Sequence, residues 1–500
     1  MTNFTSYKTL AMKSLVKNST IQIVCYLLAL LFIYTGVSKL LDIGIFQSQI
    51  AQSAMLAPYA KILAWVVPLV ELILAGMLLI SGTRLWGLLG STVLMLGFTI
   101  YVYLIWTYSP SLPCSCGGVL EAMDWEAHLY FNLGFTLLAT WAWYLENDKK
   151  RYYKALAAVS LGMIALVLVL FYTQPQPKIL QDDSFTRNYR EDTLTPIVEQ
   201  KLEFNSYYVA GVTDSLVYLG NSTGFTHGIV WNYRTNDTTH FKIRIPNAPE
   251  QFASLPKWQV FEDYFFIGEG VSPSLYRGKT SDWIATEFMH AVPYYSDIVV
   301  LDSTEFIIRA MQASTQKYVL ATYNNMEPYV QIYDVLVQET GNLFQADGSL
   351  LWDYENQRAS YLYFYKNKID SWTHDFKEVA ETNLVYTIDA SAVSTNQGRD
   401  GTHLRDSPVP ALHSNIRTWK NQSYVLSNVM GAIENPRDFN TNTIIDVYAD
   451  EYSHSLRLPN KNGEKARTFY INNHHIIALY PTQLVAYKHT NLLMAMSEQE

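Results

Sequence analysis

The sequence predicts a two-part molecule: an α-helical membrane bundle followed by an all-β exported domain, the latter a six-bladed β-propeller. Three observations carry that expectation. Five apolar segments crowd the first 172 of 500 residues, short aromatic and β-branched runs recur through the remainder, and a proline-rich stretch separates the two. The net charge of -9 supplies no basic field of the kind that phosphate binding requires, which excludes nucleic acid as a partner.

The apolar segments run roughly over 21–41, 62–80, 85–106, 128–145 and 156–172. Each approaches the ~20 residues that a helix needs to cross a ~30 Å hydrocarbon core. A cleaved signal peptide has an apolar core of only ~7 to 15 residues before a small-residue site. The first segment is longer and has four successors, so it reads as an anchor.

Cations set the orientation, because short loops rich in Lys and Arg stay in the cytoplasm. Lys8, Lys13 and Lys17 precede the first segment, Arg84 lies between the second and third, and Lys149, Lys150, Arg151 and Lys154 lie between the fourth and fifth. All fall on one side if the N-terminus is cytoplasmic. The expected topology is a membrane crossed several times, with the 107–127 loop and everything after Tyr172 on the outer side.

That outer loop contains Pro113-Cys114-Ser115-Cys116-Gly117-Gly118, two of the three cysteines in the chain. In an oxidising compartment such a pair can cycle or hold a standing disulfide. Bridging i to i+2 demands a bend, which Gly117 and Gly118 permit, and a bridge of that kind is labile. A fixed clip that shapes the loop is the competing reading. A structural zinc site needs four ligands, and here two thiols have only His128 as an evident helper. His128, if cationic, lowers a nearby thiol pKa, although a lone interfacial histidine also serves as a polar cap. Glu71 lies mid-segment, where an acid costs ~2.5 to 3.5 kcal/mol on insertion scales, so it faces the bundle interior as a hydrogen-bonded structural group or a proton or cofactor contact. Lys39 is expected to snorkel to the interface, and Cys25 to fill apolar space.

The first four segments, with Gly36-Val37-Ser38-Lys39-Leu40, Glu71, and the CSCGG loop followed by Trp125, His128 and Asn132, resemble the DoxX/MauE family of four-helix membrane proteins, in its redox-associated branch from Bacteroidota. The resemblance spans the first 147 residues. It implies a bacterial inner membrane with the outer loop in the periplasm, and disulfide handling for periplasmic clients; Cys114 and Cys116 are then the exchanging pair, with His128 and Glu71 as helpers. The bundle is also similar to the quinone-linked vitamin K epoxide reductase arrangement, which makes a quinone the one cofactor implied. Two departures stand: the pair is CxC rather than CxxC, and no second outer-loop pair relays electrons.

The expected domains are therefore 1–147, the four-helix domain; 148–173, a basic turn and fifth crossing; 174–193, a linker with Gln174-Pro175-Gln176-Pro177 that is extended and semi-rigid; and 194–496, the propeller. In the last, a polar or charged residue opens a compact strand in 214–219, 263–267, 302–308, 358–364, 422–426 and 473–479, a spacing that fits four-stranded blades. The polar stretch 389–414 is too long for a blade turn and reads as a binding insert. Two functions follow. The first is a thiol-disulfide oxidoreductase whose propeller docks a periplasmic or envelope client. The second is a non-catalytic subunit of an envelope complex, with the bundle as anchor, the CxC as clip and the propeller as protein-binding scaffold.

Overall fold

The computed structural model describes residues 2–53, 55–108, 125–146, 152–173, 180–190, 194–246, 252–272, 274–290, 292–326, 329–338, 342–388, 395–397, 403–405 and 410–488. Cys114, Cys116, the basic turn at 149–151, the prolines at 175 and 177 and most of the 389–414 insert lie outside them. The chain divides into two compact units, Met1–Lys178 with Val393–Val409, and Ile179–Ala392 with Pro410–Glu500.

The first unit is built from helices α1 (Thr2–Leu41), α2 (Ile43–Gln52), α3 (Ala60–Leu79), α4 (Arg84–Tyr108), α5 (Trp125–Glu146) and α6 (Tyr152–Tyr172). Among the described residues, four spans are long and apolar enough to cross a membrane: Val16–Leu41, Ala57–Leu79, Arg84–Thr107 and Tyr153–Tyr172. The segment expected at 128–145 forms a helix of similar length, but it is less apolar than these, because α5 spends His128, Asn132 and Thr136 on a buried face. Thr99 of α4 and Thr136 of α5 meet hydroxyl to hydroxyl at 3.2 Å, a polar stitch suited to helices packed in an apolar medium. Ile21, Cys25, Leu28 and Phe32 of α1 pack with Leu74 and Leu78 of α3, Leu88 of α4 and Trp143 of α5. Cys25 thus fills core space as expected. A short hairpin, Thr395–Gln397 with His403–Arg405, belongs to this unit and lies against α2.

The second unit contains six four-stranded antiparallel sheets, the blades of a propeller. Their strands begin at Tyr207, Lys257, Asp297, Gly348, His413 and Thr468. The six runs expected from sequence are the second strands of the six blades, in order: Leu216–Asn221, Tyr264–Gly268, Glu305–Gln312, Arg358–Tyr363, Gln422–Ser427 and His475–Leu479. Polar side chains close the turns that lead into several of these strands. Asp302 accepts from the backbone N–H of Thr304 and Glu305, and Asn472 from those of His474 and His475, which closes the turns without a longer loop.

Ring closure is made by the N-terminal strand Thr195–Lys201, which completes the sixth blade by pairing with Gln483–Lys488. Apolar clusters then bridge every neighbouring pair of blades. Trp231 and Val217 of the first meet Ile477 and Leu484 of the sixth, and Tyr424 and Val447 of the fifth meet Phe469 and Val485 of the sixth. Upstream of closure, Leu180–Asp182 pairs in parallel with Val429–Gly431 of the fifth-blade region. Arg187 then buries its guanidinium completely, donating to Asp446 Oδ1 at 2.8 Å, to the Val429 carbonyl at 2.9 Å and to Glu434.

Candidate functional site

The site with chemical character among the described residues lies inside the helical unit. It starts from a close helix crossing. A Cβ added at Gly36 of α1 would meet the Pro68 carbonyl of α3 at 3.2 Å and Leu72 Cγ at 3.1 Å, so only glycine allows this approach without displacement. Pro68 sits inside α3, where it removes one backbone donor. One turn beyond each of these residues stand Lys39 and Glu71. Close approach of the backbones brings the two charges together.

Lys39 Nζ donates to Glu71 Oε1 at 2.5 Å. The lysine side chain is 10% exposed and the glutamate 1%. Lys39 therefore turns inward onto Glu71 instead of snorkelling to an interface, because a carboxylate already buried at that depth offers a stronger partner than the surface. Phe46 and Phe98 flank the ammonium at 5.5 and 5.7 Å, within cation–π range. Thr35, one turn before Lys39, donates its hydroxyl to the Leu31 carbonyl at 3.0 Å and lies beside the Glu71 carboxylate. The second carboxylate oxygen, Glu71 Oε2, is buried without a hydrogen-bond partner among the described residues.

This pair borders a cavity of about 250 Å³ walled by all six helices and the short Met55–Leu56 connection. Thr35, Lys39, Gln49, Glu71, Tyr101, His128 and Asn132 supply its polar groups, and the rest of the lining is apolar. His128 and Asn132 enter from the first two turns of α5, the helix that follows the CSCGG loop. Of the site residues expected from sequence, the structure brings Glu71 and His128 to one cavity. Sequence reasoning missed Lys39 as the partner of Glu71 and missed Gln49. The available signal for the former was charge: a base and an acid, each inside an apolar segment, have most to gain from each other. Among the described residues no group of three or more His, Cys, Asp or Glu side chains is arranged to hold a metal ion.

The propeller carries perturbed groups of a different kind. Hydrogen bonds from Ser184 and Thr387 hold the Asp182 carboxyl well below the usual range against the opposing effect of burial. Burial pushes His413 down to about 3, and its ring stacks on Tyr386 at 5.3 Å. Asp182 ties the entry segment to the stretch between the fourth and fifth blades, and His413 packs at the start of the fifth.

No curated protein sequence matches the chain. Solved structures similar to it include a virginiamycin B lyase from Staphylococcus aureus, at 10% identity and a TM-score of 0.37, covering 59% of this chain and 99% of that one. A member of the DUF4221 family from Bacteroides vulgatus is similar at 10% identity and a TM-score of 0.40, over 61% of this chain and 99% of that one. A protein of unknown function from Bacteroides thetaiotaomicron follows at 10% identity and 0.34, over 62% and 75%. Likeness at this level carries no statement about activity. The helical unit is different, for residues 17–145 match the family described as methylamine utilisation protein MauE.

Proposed function

We propose that this chain is a membrane-anchored thiol-disulfide redox protein: Cys114 and Cys116 exchange with a client outside the cytoplasm, and the propeller docks that client. In this reading the helices cross a bacterial inner membrane with the N-terminus cytoplasmic and the propeller periplasmic. A client thiolate attacks one sulfur of the Cys114–Cys116 disulfide and expels the other as thiolate; a second client thiolate then breaks the mixed disulfide. The client leaves with its disulfide formed, and the pair is left as a dithiol.

The observation that carries the reading is where the CSCGG loop must end. Eight residues separate Cys116 from Trp125, and α5 then delivers His128 to the cavity that holds the Lys39–Glu71 pair. The MauE match over the same helices supports it.

The test separates the two sulfurs. Cys114→Ser and Cys116→Ser are each expected to leave membrane insertion and propeller folding unchanged while abolishing disulfide formation in the client. Unchanged client oxidation in both variants contradicts the proposal. One observation favours the alternative of a non-catalytic envelope-complex subunit: the third cysteine, Cys25, is buried in the helical core, so this chain holds no second pair to relay electrons. In that case both variants lose only loop shape, and the propeller keeps its partner.

A further inference from the structure

The two ends of the propeller carry different charge, and the acidic end holds a cavity. The turns that join first to second strands bear Asp214, Glu262, Asp263, Asp302 and Glu355 against one lysine, Lys420. At the opposite end, the described residues of the turns that join second to third strands are balanced, with Glu269, Glu434 and Asp438 against Lys366 and Arg437. Within the acidic end, the second, third and fourth blades surround a cavity of about 520 Å³, inside the ~300 to 1,000 Å³ range of ligand pockets. Resting on the reading that the propeller docks a protein, we propose that this cavity captures a basic side chain of that partner, arginine in preference to lysine.

The lining joins aromatic rings to carboxylates. Phe261 of the second blade and Tyr354 of the fourth stack with centroids 5.5 Å apart, and the Tyr354 hydroxyl donates to the Val300 carbonyl at 2.6 Å, which fixes the ring. Tyr354 is nevertheless 49% exposed, so part of its ring stays open to a ligand. Glu262, Asp302 and Glu305 supply the charge. Asp302 accepts from the N–H groups of Thr304 and Glu305 through Oδ1, and Glu305 Oε2 meets His374 Nε2 at 3.0 Å. Among the described residues neither Glu262 nor Asp302 is paired with a Lys or Arg side chain, and no three of these acids and His374 are arranged to hold a metal ion. The site therefore calls for a cation larger than an ion. A guanidinium is planar, lies on aromatic faces and pairs two N–H groups with one carboxylate, whereas an ammonium is a compact and strongly hydrated point charge. Carboxylates from two blades beside a stacked ring pair suit the guanidinium, within the ~6 Å reach of cation–π attraction.

The experiment uses the full chain in phosphatidylcholine nanodiscs at about 0.15 M salt, where exposed charges more than about 8 Å apart are largely screened. The probes are three fluorescein-labelled, capped nonapeptides of glycine and serine that differ only in holding arginine, lysine or glutamine at three spaced positions. Fluorescence anisotropy is expected to give a dissociation constant at least tenfold lower for the arginine peptide than for the glutamine peptide, with lysine between them. Glu262→Gln/Glu305→Gln is expected to weaken the arginine peptide at least tenfold. Tyr354→Leu, which removes a half-exposed ring, is expected to weaken it severalfold and decides the matter if the double variant does not fold. Glu203→Gln, which removes one exposed charge at the opposite end, is expected to leave the affinity unchanged. An arginine peptide that binds no better than the glutamine or the lysine peptide, or parent-like affinity in both the double variant and Tyr354→Leu, overturns the proposal. Arginine preference in a chain whose cysteines prove inert keeps this site and removes the exchange; client oxidation lost in Cys114→Ser, with no arginine preference in the parent, keeps the exchange and removes this site.

Discussion

At the scale of single residues, the molecule's most consequential contact is one hydrogen-bonded ion pair inside an apolar bundle. A buried pair is weak evidence for stability, since desolvation offsets most of the attraction, yet removing one partner strands the other at a cost of about 3 to 5 kcal/mol. Lys39→Met alone is therefore expected to destabilise the helical unit by about that amount, because Glu71 is 1% exposed and keeps no compensating cation. Lys39→Met/Glu71→Leu is expected to come within about 1 kcal/mol of the parent, or to exceed it. Reversible unfolding in mixed micelles checks both. Equal losses in the single and double variants contradict this account of the pair. Each charge was visible in the sequence as an anomaly within an apolar segment. Their pairing was not, because it depends on the approach of α1 to α3 at Gly36 and Pro68, which no local pattern records.

At the scale of elements, legibility followed burial. The second strand of every blade stood out in the sequence because it is nearly all buried, as in Leu216–Asn221 and Arg358–Tyr363, and because a polar turn precedes it. Outer strands such as Asp237–Lys242 and Val379–Asn383 are mostly exposed and carry little apolar signal, so they merged with loops. The first strand of the fifth blade, His413–Trp419, begins on a fully buried imidazole. His413 is held near 3 by burial, below its ordinary 6.5, so below pH 6.5 the unfolded chain takes up a proton that the folded one refuses. Its contribution is thus complete above pH 6.5 and is lost as pH falls toward 3, by at most about 1.4 kcal/mol per pH unit. Asp182 titrates below that window, since its carboxyl is held under the usual range. Thermal unfolding of the β signal is expected to decline between pH 6.5 and 4.5, and His413→Leu to flatten that decline. An unchanged slope in the variant places the pH sensitivity elsewhere.

At the scale of the whole molecule, the chain joins a MauE-like helical unit to a propeller closed by its own N-terminal strand. Blade count was readable from recurrence, whereas closure was not, since it pairs Thr195 with Lys488 across nearly the entire domain. The entry segment was also hidden: Arg187 looked like one charge in a polar stretch, and only the fold reveals Asp446, Glu434 and the Val429 carbonyl around it. Of the candidate site, Glu71 and His128 were legible and meet at one cavity, while the cysteine pair rests on its motif and its tether to α5. The most direct measurement is therefore a redox titration of Cys114 and Cys116 in intact membranes, with free thiols alkylated and read as mass shifts. The account predicts a pair that is oxidised at rest and reduced well above roughly -300 mV, the value below which structural disulfides lie. A pair that stays oxidised below that potential is a clip, and contradicts the redox function.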